Sequence, residues 1–320
     1  MRAALVSILW CAAIAACGDD GGNKAKPDAA TPTIDAATPV IDAAVDLTHQ
    51  SIELAGGANG LYWDDAAHTL YLTDENANTL LTYTDAAGIA TVTALPVEAS
   101  GSNPGGITRL ASGTLLTPNF AMGTSAGNTL FTVDPAAKTS TALTGLDGSH
   151  HRIGIGVTST GAIYDTYFAG MGAGNQTGSV ATIVVGADGS ATETDLTFAV
   201  APGFKKLVGM IVTDDAVFVT DQTQLKVFKI ALADNTVTTV GAVTSADLMT
   251  LLPGGDLITG GTGGVRRLTQ AGVETTLFTG ETFDDVHGNA YDPTGKRLFF
   301  INHSSTAGTK DRLEVRPLAN

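Results

Sequence analysis

One short motif recurs along most of this chain: a Gly-apolar pair, a turn, then an apolar strand that closes on a small or polar residue. Followed down the sequence, that strand reads Thr69–Asp74, Thr114–Asn119, Ala162–Tyr167, Ala216–Asp221, Asp256–Gly261 and Arg297–Asn302. Its ends lie 45, 48, 54, 40 and 41 residues apart. A period of about 46 residues is that of four-stranded propeller blades. One such unit cannot bury its apolar face alone, so the copies must stack on one another. The sequence therefore predicts an all-β fold, a six-bladed β-propeller over residues 47–320. A pair of packed sheets is the rival, and six evenly spaced copies argue against it.

The ends of the repeat support a closed ring. The last copy, Gly288–Asn320, is one strand short. The segment Leu47–Leu54 precedes the first copy and has no blade of its own. It is expected to supply the missing outer strand, which would join first and last blades and cover a strand edge.

The N-terminus is different. Arg2 precedes the apolar run Ala3–Ala16, whose 14 residues fall short of the roughly 20 needed to span a bilayer. That run suits a signal peptide. It ends Ile14-Ala15-Ala16-Cys17, followed by Gly18-Asp19-Asp20, which resembles a bacterial lipobox. The resemblance implies a signal peptide over 1–16, cleavage before Cys17, and lipidation of Cys17 as a membrane anchor. Gly18, rather than Asp, directly after the cysteine favours the outer membrane of a bacterial cell envelope. The chain holds two cysteines, Cys11 and Cys17, so the folded domain is expected to lack disulfides. Residues 17–46 carry two proline-containing units, Thr31–Ala37 and Thr38–Ala44, with few large apolar groups. They read as a disordered or extended tether.

Charge narrows the partners. The chain carries a net −15, and residues 47–320 hold 26 acids against 14 bases. An acidic surface disfavours nucleic acid and anionic lipid. It leaves cations, neutral polar molecules and proteins as partners, and a monomer is expected.

Asn59-Gly60-Leu61-Tyr62-Trp63-Asp64, then Leu70-Tyr71-Leu72-Thr73-Asp74 and Asn78, resemble the gluconolactonase, senescence-marker-protein and luciferin-regenerating-enzyme family. His287-Gly288-Asn289-Ala290-Tyr291-Asp292, running on to Phe300, looks like a further copy. The resemblance implies one divalent cation of calcium type near the channel, held by oxygen ligands at the starts of inner strands. The cation would polarise a lactone carbonyl. Residue by residue, the family's first-blade Glu falls on Asn59, its fourth-blade Asn on Val208, and its fifth-blade Asp on Asp247. Asp247 matches, Asn59 lacks the charge and Val208 cannot ligate. Asp247 and Asn59 are thus the candidate metal ligands.

Position in the repeat adds candidates of its own. Asn59, Arg152, Asp247, Asp285, His287 and Asn289 are expected around the channel mouth as a ligand-binding constellation. Four other patterns carry less. His150 and His151 are strand neighbours and should face opposite ways. Asp74–Asn78 opens like a calcium loop, but Thr79 stands where that loop needs Gly, so a turn is expected. Gly123–Gly127 matches a nucleophile elbow around Ser125, but strand rather than helix should follow. Gly260–Gly264 reads as a Gly-rich connection between strands. Two functions stay open, and whether the domain is an enzyme stays open with them. The first is a membrane-anchored exported propeller binding a small molecule or protein at its mouth. The alternative is a metal-dependent hydrolase of lactones or related esters.

Overall fold

The computed structural model describes residues 49–95, 102–121, 128–170, 172, 174–244, 246–306 and 309–318. The signal peptide, Cys17, the tether and the Ser125 motif lie outside these residues. Asp46–Asn320 form one compact unit, with strands and turns and no helix among the described residues. Six separate sheets make a six-bladed propeller. Blade 1 is Ala58–Asp64, Thr69–Asp74, Thr79–Thr84 and Gly88–Ala94, each antiparallel to the next. Blade 3 starts on His151–Val157, blade 4 on Leu207–Val212, blade 5 on Met249–Leu251 and blade 6 on Asp285–Asp292. All six predicted second strands form, the fifth trimmed to Leu257–Thr259. In blade 2 the first strand is broken into Ser102–Pro104 and Thr108–Arg109, both pairing with Leu115–Ala121. Gly106 N donates to Ile153 O of blade 3 at 2.8 Å instead of within its own blade, so the neighbouring blade interrupts the ladder there.

The ring closes as the repeat predicted. Gln50–Glu53 pairs antiparallel with Arg312–Pro317 and becomes the outer strand of blade 6. Residues 47 and 48 of that predicted segment lie outside the described residues.

The recurring glycine has a steric cause. The first strands of blades 1, 3, 4 and 6 each shift register at the Gly-apolar pair, a β-bulge. There the backbones of neighbouring blades touch. A Cβ on Gly60 would fall on the Gly105 carbonyl, on Gly209 on the Asp247 carbonyl, and on Gly288 on the Asn59 carbonyl. Only glycine permits this approach around the axis.

In blades 1, 3 and 4 a threonine in the second strand ties the bulge down. Thr73 Oγ1 accepts from Gly60 N at 2.8 Å and donates to Gly105 O of the next blade at 2.9 Å. Thr220 Oγ1 accepts from Gly209 N at 2.7 Å and donates to Asp247 O at 3.0 Å. Thr166 does the same between Gly154 and Val208. Aspartates at strand ends make the turns. Asp74 Oδ1 accepts from Asn76 N and Ala77 N, and Asp64, Asp134 and Asp221 repeat the pattern two and three residues on. Asp74–Asn78 is thus a side-chain-capped turn, as expected.

Apolar side chains pack between blades, not in one central core. Leu61, Leu72 and Tyr83 of blade 1 meet Phe299, Ile301 and Val315 of blade 6, with Leu54 beside them. Tyr71 and Leu80 meet Phe131 and Val133 of blade 2, and similar wedges fill the other seams. Along the axis lies a cavity of about 370 Å³ to which all six blades contribute.

Candidate functional site

The mouth of interest lies where first strands begin and second strands end. The bulge fixes it, because it turns the residue before each glycine toward the neighbouring blade. His287 stands there on blade 6. Its Nε2 is 3.5 Å from Asp285 Oδ2, and Thr262 Oγ1 donates to the other Asp285 oxygen at 3.4 Å. The His287 ring stacks on that of His303, centroids 4.9 Å apart and planes 16° from parallel. His303 is oriented in turn by Asp311, whose Oδ2 lies 2.9 Å from His303 Nδ1. Asp311 Oδ1 also accepts from Ser304 N at 3.1 Å. Glu75, in the turn after the second strand of blade 1, completes the group. One donor atom each from Glu75, His287 and His303 lie within 4.8 Å of one another.

Blades 4 and 5 supply the opposite wall. Asp247 Oδ1 accepts from Leu248 N at 2.7 Å. Lys206 Nζ donates to Gln222 Oε1 at 2.5 Å and stands 5.8 Å from the centre of the Phe168 ring. Asn289 Nδ2 donates to Leu248 O at 3.0 Å, bridging blades 6 and 5, and its buried Oδ1 has no hydrogen-bond partner.

Electrostatics bind this group into one unit. Burial opposes the His287 imidazolium, but its hydrogen bond to Asp285 and the charges of Asp247, Asp285 and Glu75 outweigh that and hold its pKa at about 9. The same hydrogen bond holds Asp285 below the usual carboxylate range. Desolvation pushes Asp247 and Glu75 up, partly offset by His287 in each case. Desolvation also lowers Lys206, against the pull of Asp247. The mouth thus juxtaposes carboxyl groups, an imidazole and an amine whose charges are coupled.

Of the sequence-predicted residues, Asp247, Asp285, His287 and Asn289 come together across blades 5 and 6. Asn59 stands at the same end, its carbonyl against Gly288, but its side chain turns to Pro104 O at 3.4 Å. Arg152 departs from expectation. Its side chain is fully buried, with Nε 3.1 Å from Asp165 Oδ2, Nη2 on Glu193, and Nη1 donating to the carbonyls of Asn128, Asp147 and His150. A guanidinium with its partners in the seam of blades 2 and 3 is a strut, not a mouth ligand. His150 and His151 face opposite ways as expected: His150 stacks on Tyr167 and meets Glu193, while His151 packs on Phe168.

His303 and the role of Glu75 escaped the sequence reading. A signal for both existed in the repeat. The residues one beyond the predicted second strands of blades 1 and 6 are Glu75 and His303, and the equivalent in blade 4, Gln222, holds Lys206.

No family model matches the sequence, and no curated protein matches it. Solved structures match in shape. A gluconolactonase from Xanthomonas campestris superposes with a TM-score of 0.62, at 16% identity over 85% of this chain and 90% of its own. The chain has the fold of the gluconolactonase propellers. A luciferin-regenerating enzyme matches with a TM-score of 0.61 at 13% identity, over 85% of this chain and 96% of its own. A calcium-binding regucalcin from Agrobacterium tumefaciens gives 0.57 at 16%, over 82% and 93%. The cation that gluconolactonase-like family resemblance implies does not fit its expected ligands here. Asn59 is turned to a backbone carbonyl, and Val208 is buried among Ile153, Phe168 and Leu248. Asp247 alone keeps a carboxylate, and a hard cation needs six or more oxygens.

Proposed function

We propose that the domain hydrolyses a lactone or related ester of a small polar molecule at this mouth. The observation that carries the reading is the convergence of Asp247, His287, Glu75 and Lys206 at one end of the channel, with pKa values displaced in opposite directions. The raised Asp247 suits a base that takes a proton from an attacking water. The proton that Asp247 takes can pass on to the leaving alkoxide, and the Lys206 ammonium can offset the oxyanion charge. The similarity to gluconolactonase in fold supports this choice over pure binding. The chain would act at the bacterial envelope, as a monomer held by lipid on Cys17.

The test is hydrolysis of a panel of aldonolactones by the purified protein, with and without chelator. Asp247→Asn should lower kcat at least about a hundredfold with the thermal midpoint nearly unchanged. No turnover of any lactone or ester would defeat the reading. One observation favours the other function, a propeller that binds without chemistry: Val208 stands where the resemblance places a ligand. In that case a ligand would bind, Asp247→Asn would weaken it, and nothing would be converted.

A further inference from the structure

We infer that Glu75, His287 and His303 form a site for a zinc-type transition metal, built between blades 6 and 1 and displaced from the oxygen set that the family resemblance implies. The inference deepens the hydrolase reading, and rests on it only for the use to which the ion is put.

The donor chemistry comes first. Two imidazoles and one carboxylate are a set that suits zinc with one position left open. Imidazole nitrogen selects zinc, nickel or copper over calcium, which prefers a larger shell of oxygens. The spacing is compatible. Donors about 2.1 Å from a tetrahedral ion stand roughly 3.4 Å from each other. The three here lie within 4.8 Å, a gap that side-chain rotations can close.

The surroundings point the same way. A ligating histidine usually gives its other nitrogen to a carboxylate, which fixes tautomer and ring. His303 has that arrangement, with Nδ1 on Asp311 at 2.9 Å, so Nε2 is the nitrogen left to ligate. His287 has the complementary one. Its Nε2 faces Asp285, while its Nδ1 is buried and has no hydrogen-bond partner. A buried ring nitrogen without a partner is costly unless something fills the place. Asp247 and Asp285 add negative charge nearby, which favours a dication.

The two carriers of this site are brought together by ring closure. Glu75 belongs to the first blade and both histidines to the last, so the ligands meet across the seam sealed by Gln50–Glu53. The ion would then sit between the start of one first strand, at His287, and the ends of two second strands, at Glu75 and His303, away from Asn59 and Val208.

The experiment is metal binding to the full chain, stripped with chelator and then titrated with Zn2+, Ca2+ and Co2+. One equivalent of Zn2+ should bind, Ca2+ should not compete, and Co2+ should give the visible absorption of a low-symmetry nitrogen-ligated site. His303→Ala and Glu75→Gln should each remove the Co2+ signal with the far-UV spectrum retained. Asp311→Asn should weaken Zn2+ by about 10- to 100-fold. His68→Ala and His150→Ala should change nothing. Zn2+ affinity untouched by His303→Ala and Glu75→Gln would overturn the inference. So would stoichiometric Ca2+ that Asp247→Asn abolishes. The two readings fail separately. Zinc bound by these residues without lactone turnover supports the site and ends the hydrolase. Chelator-sensitive turnover that survives His303→Ala does the reverse.

Discussion

Gln50 lies opposite Val315 in the antiparallel register that seals the ring, so the first strand of the domain completes its last blade. Arg316 Nη1 donates to Gln50 O at 2.6 Å across the same seam, and Tyr83 of blade 1 donates to Gln50 Oε1 at 3.1 Å. Leu54, at the end of this strand, is buried in the wedge between blades 6 and 1. Leu54→Ala should therefore cost about 2–5 kcal/mol, the range for an aliphatic side chain truncated in a packed core. Deleting Leu47–Leu54 should cost more and lower the urea midpoint of the whole domain in one transition. A deletion variant with an unchanged midpoint would mean that the seam contributes nothing.

Thr220 joins two blades through one hydroxyl, accepting from Gly209 N and donating to Asp247 O. Thr220→Val keeps the shape and leaves Gly209 N without that partner, while Asp247 O keeps Thr259 Oγ1 at 3.3 Å. The expected loss is about 1–3 kcal/mol for a buried group left unsatisfied. Thr220→Ser should recover most of it. Equal stability of the Val and Ser variants in chemical denaturation would remove the hydroxyl from the account.

Asp165 sets a pH dependence of stability. It is fully buried, and desolvation raises its pKa to about 7 against the pull of the Arg152 guanidinium, with Glu193 adding to the rise. The ordinary aspartate value is 3.8, so between the two values the folded state binds a proton that the unfolded state has already released. In the window between these values the folded form binds more protons, and this group's contribution to stability falls as pH rises. Asp165→Asn should flatten the fall between about pH 4 and 7 and leave stability at pH 8 no lower than that of the parent. Parallel stability–pH curves for the two proteins would contradict this.

The proposed anchor rests on Ile14-Ala15-Ala16-Cys17. Cys17→Ser should move the protein from the membrane fraction to the soluble envelope fraction and abolish incorporation of labelled palmitate. Because Cys17 precedes the folded domain in the sequence, the thermal midpoint should not change. Unchanged membrane retention, with no label on the parent protein, would remove the proposed lipid anchor.

What the sequence determined by itself is whatever one blade needs from its own residues. The apolar strands such as Leu70–Thr73 and Val217–Thr220, the turn-making Asp74 and Asp221, and the bulge glycines Gly60, Gly209 and Gly288 all act within a unit or on its neighbour. They recur at a countable period, so the blade number and the closing strand at Gln50–Glu53 were legible before any coordinates. The mouth was legible only in part. Asp247, Asp285, His287 and Asn289 sit at or beside first-strand starts, and the repeat marks those positions. Tertiary structure decided the rest. Glu75 and His303 are at opposite ends of the domain sequence and meet because the ring closes, a contact that no local pattern encodes. Arg152 occupies a similar repeat position, yet Asp165 and Glu193 of its own blade capture it. A buried guanidinium goes where paired carboxylates can repay its desolvation, and a single strand cannot reveal where those carboxylates will stand.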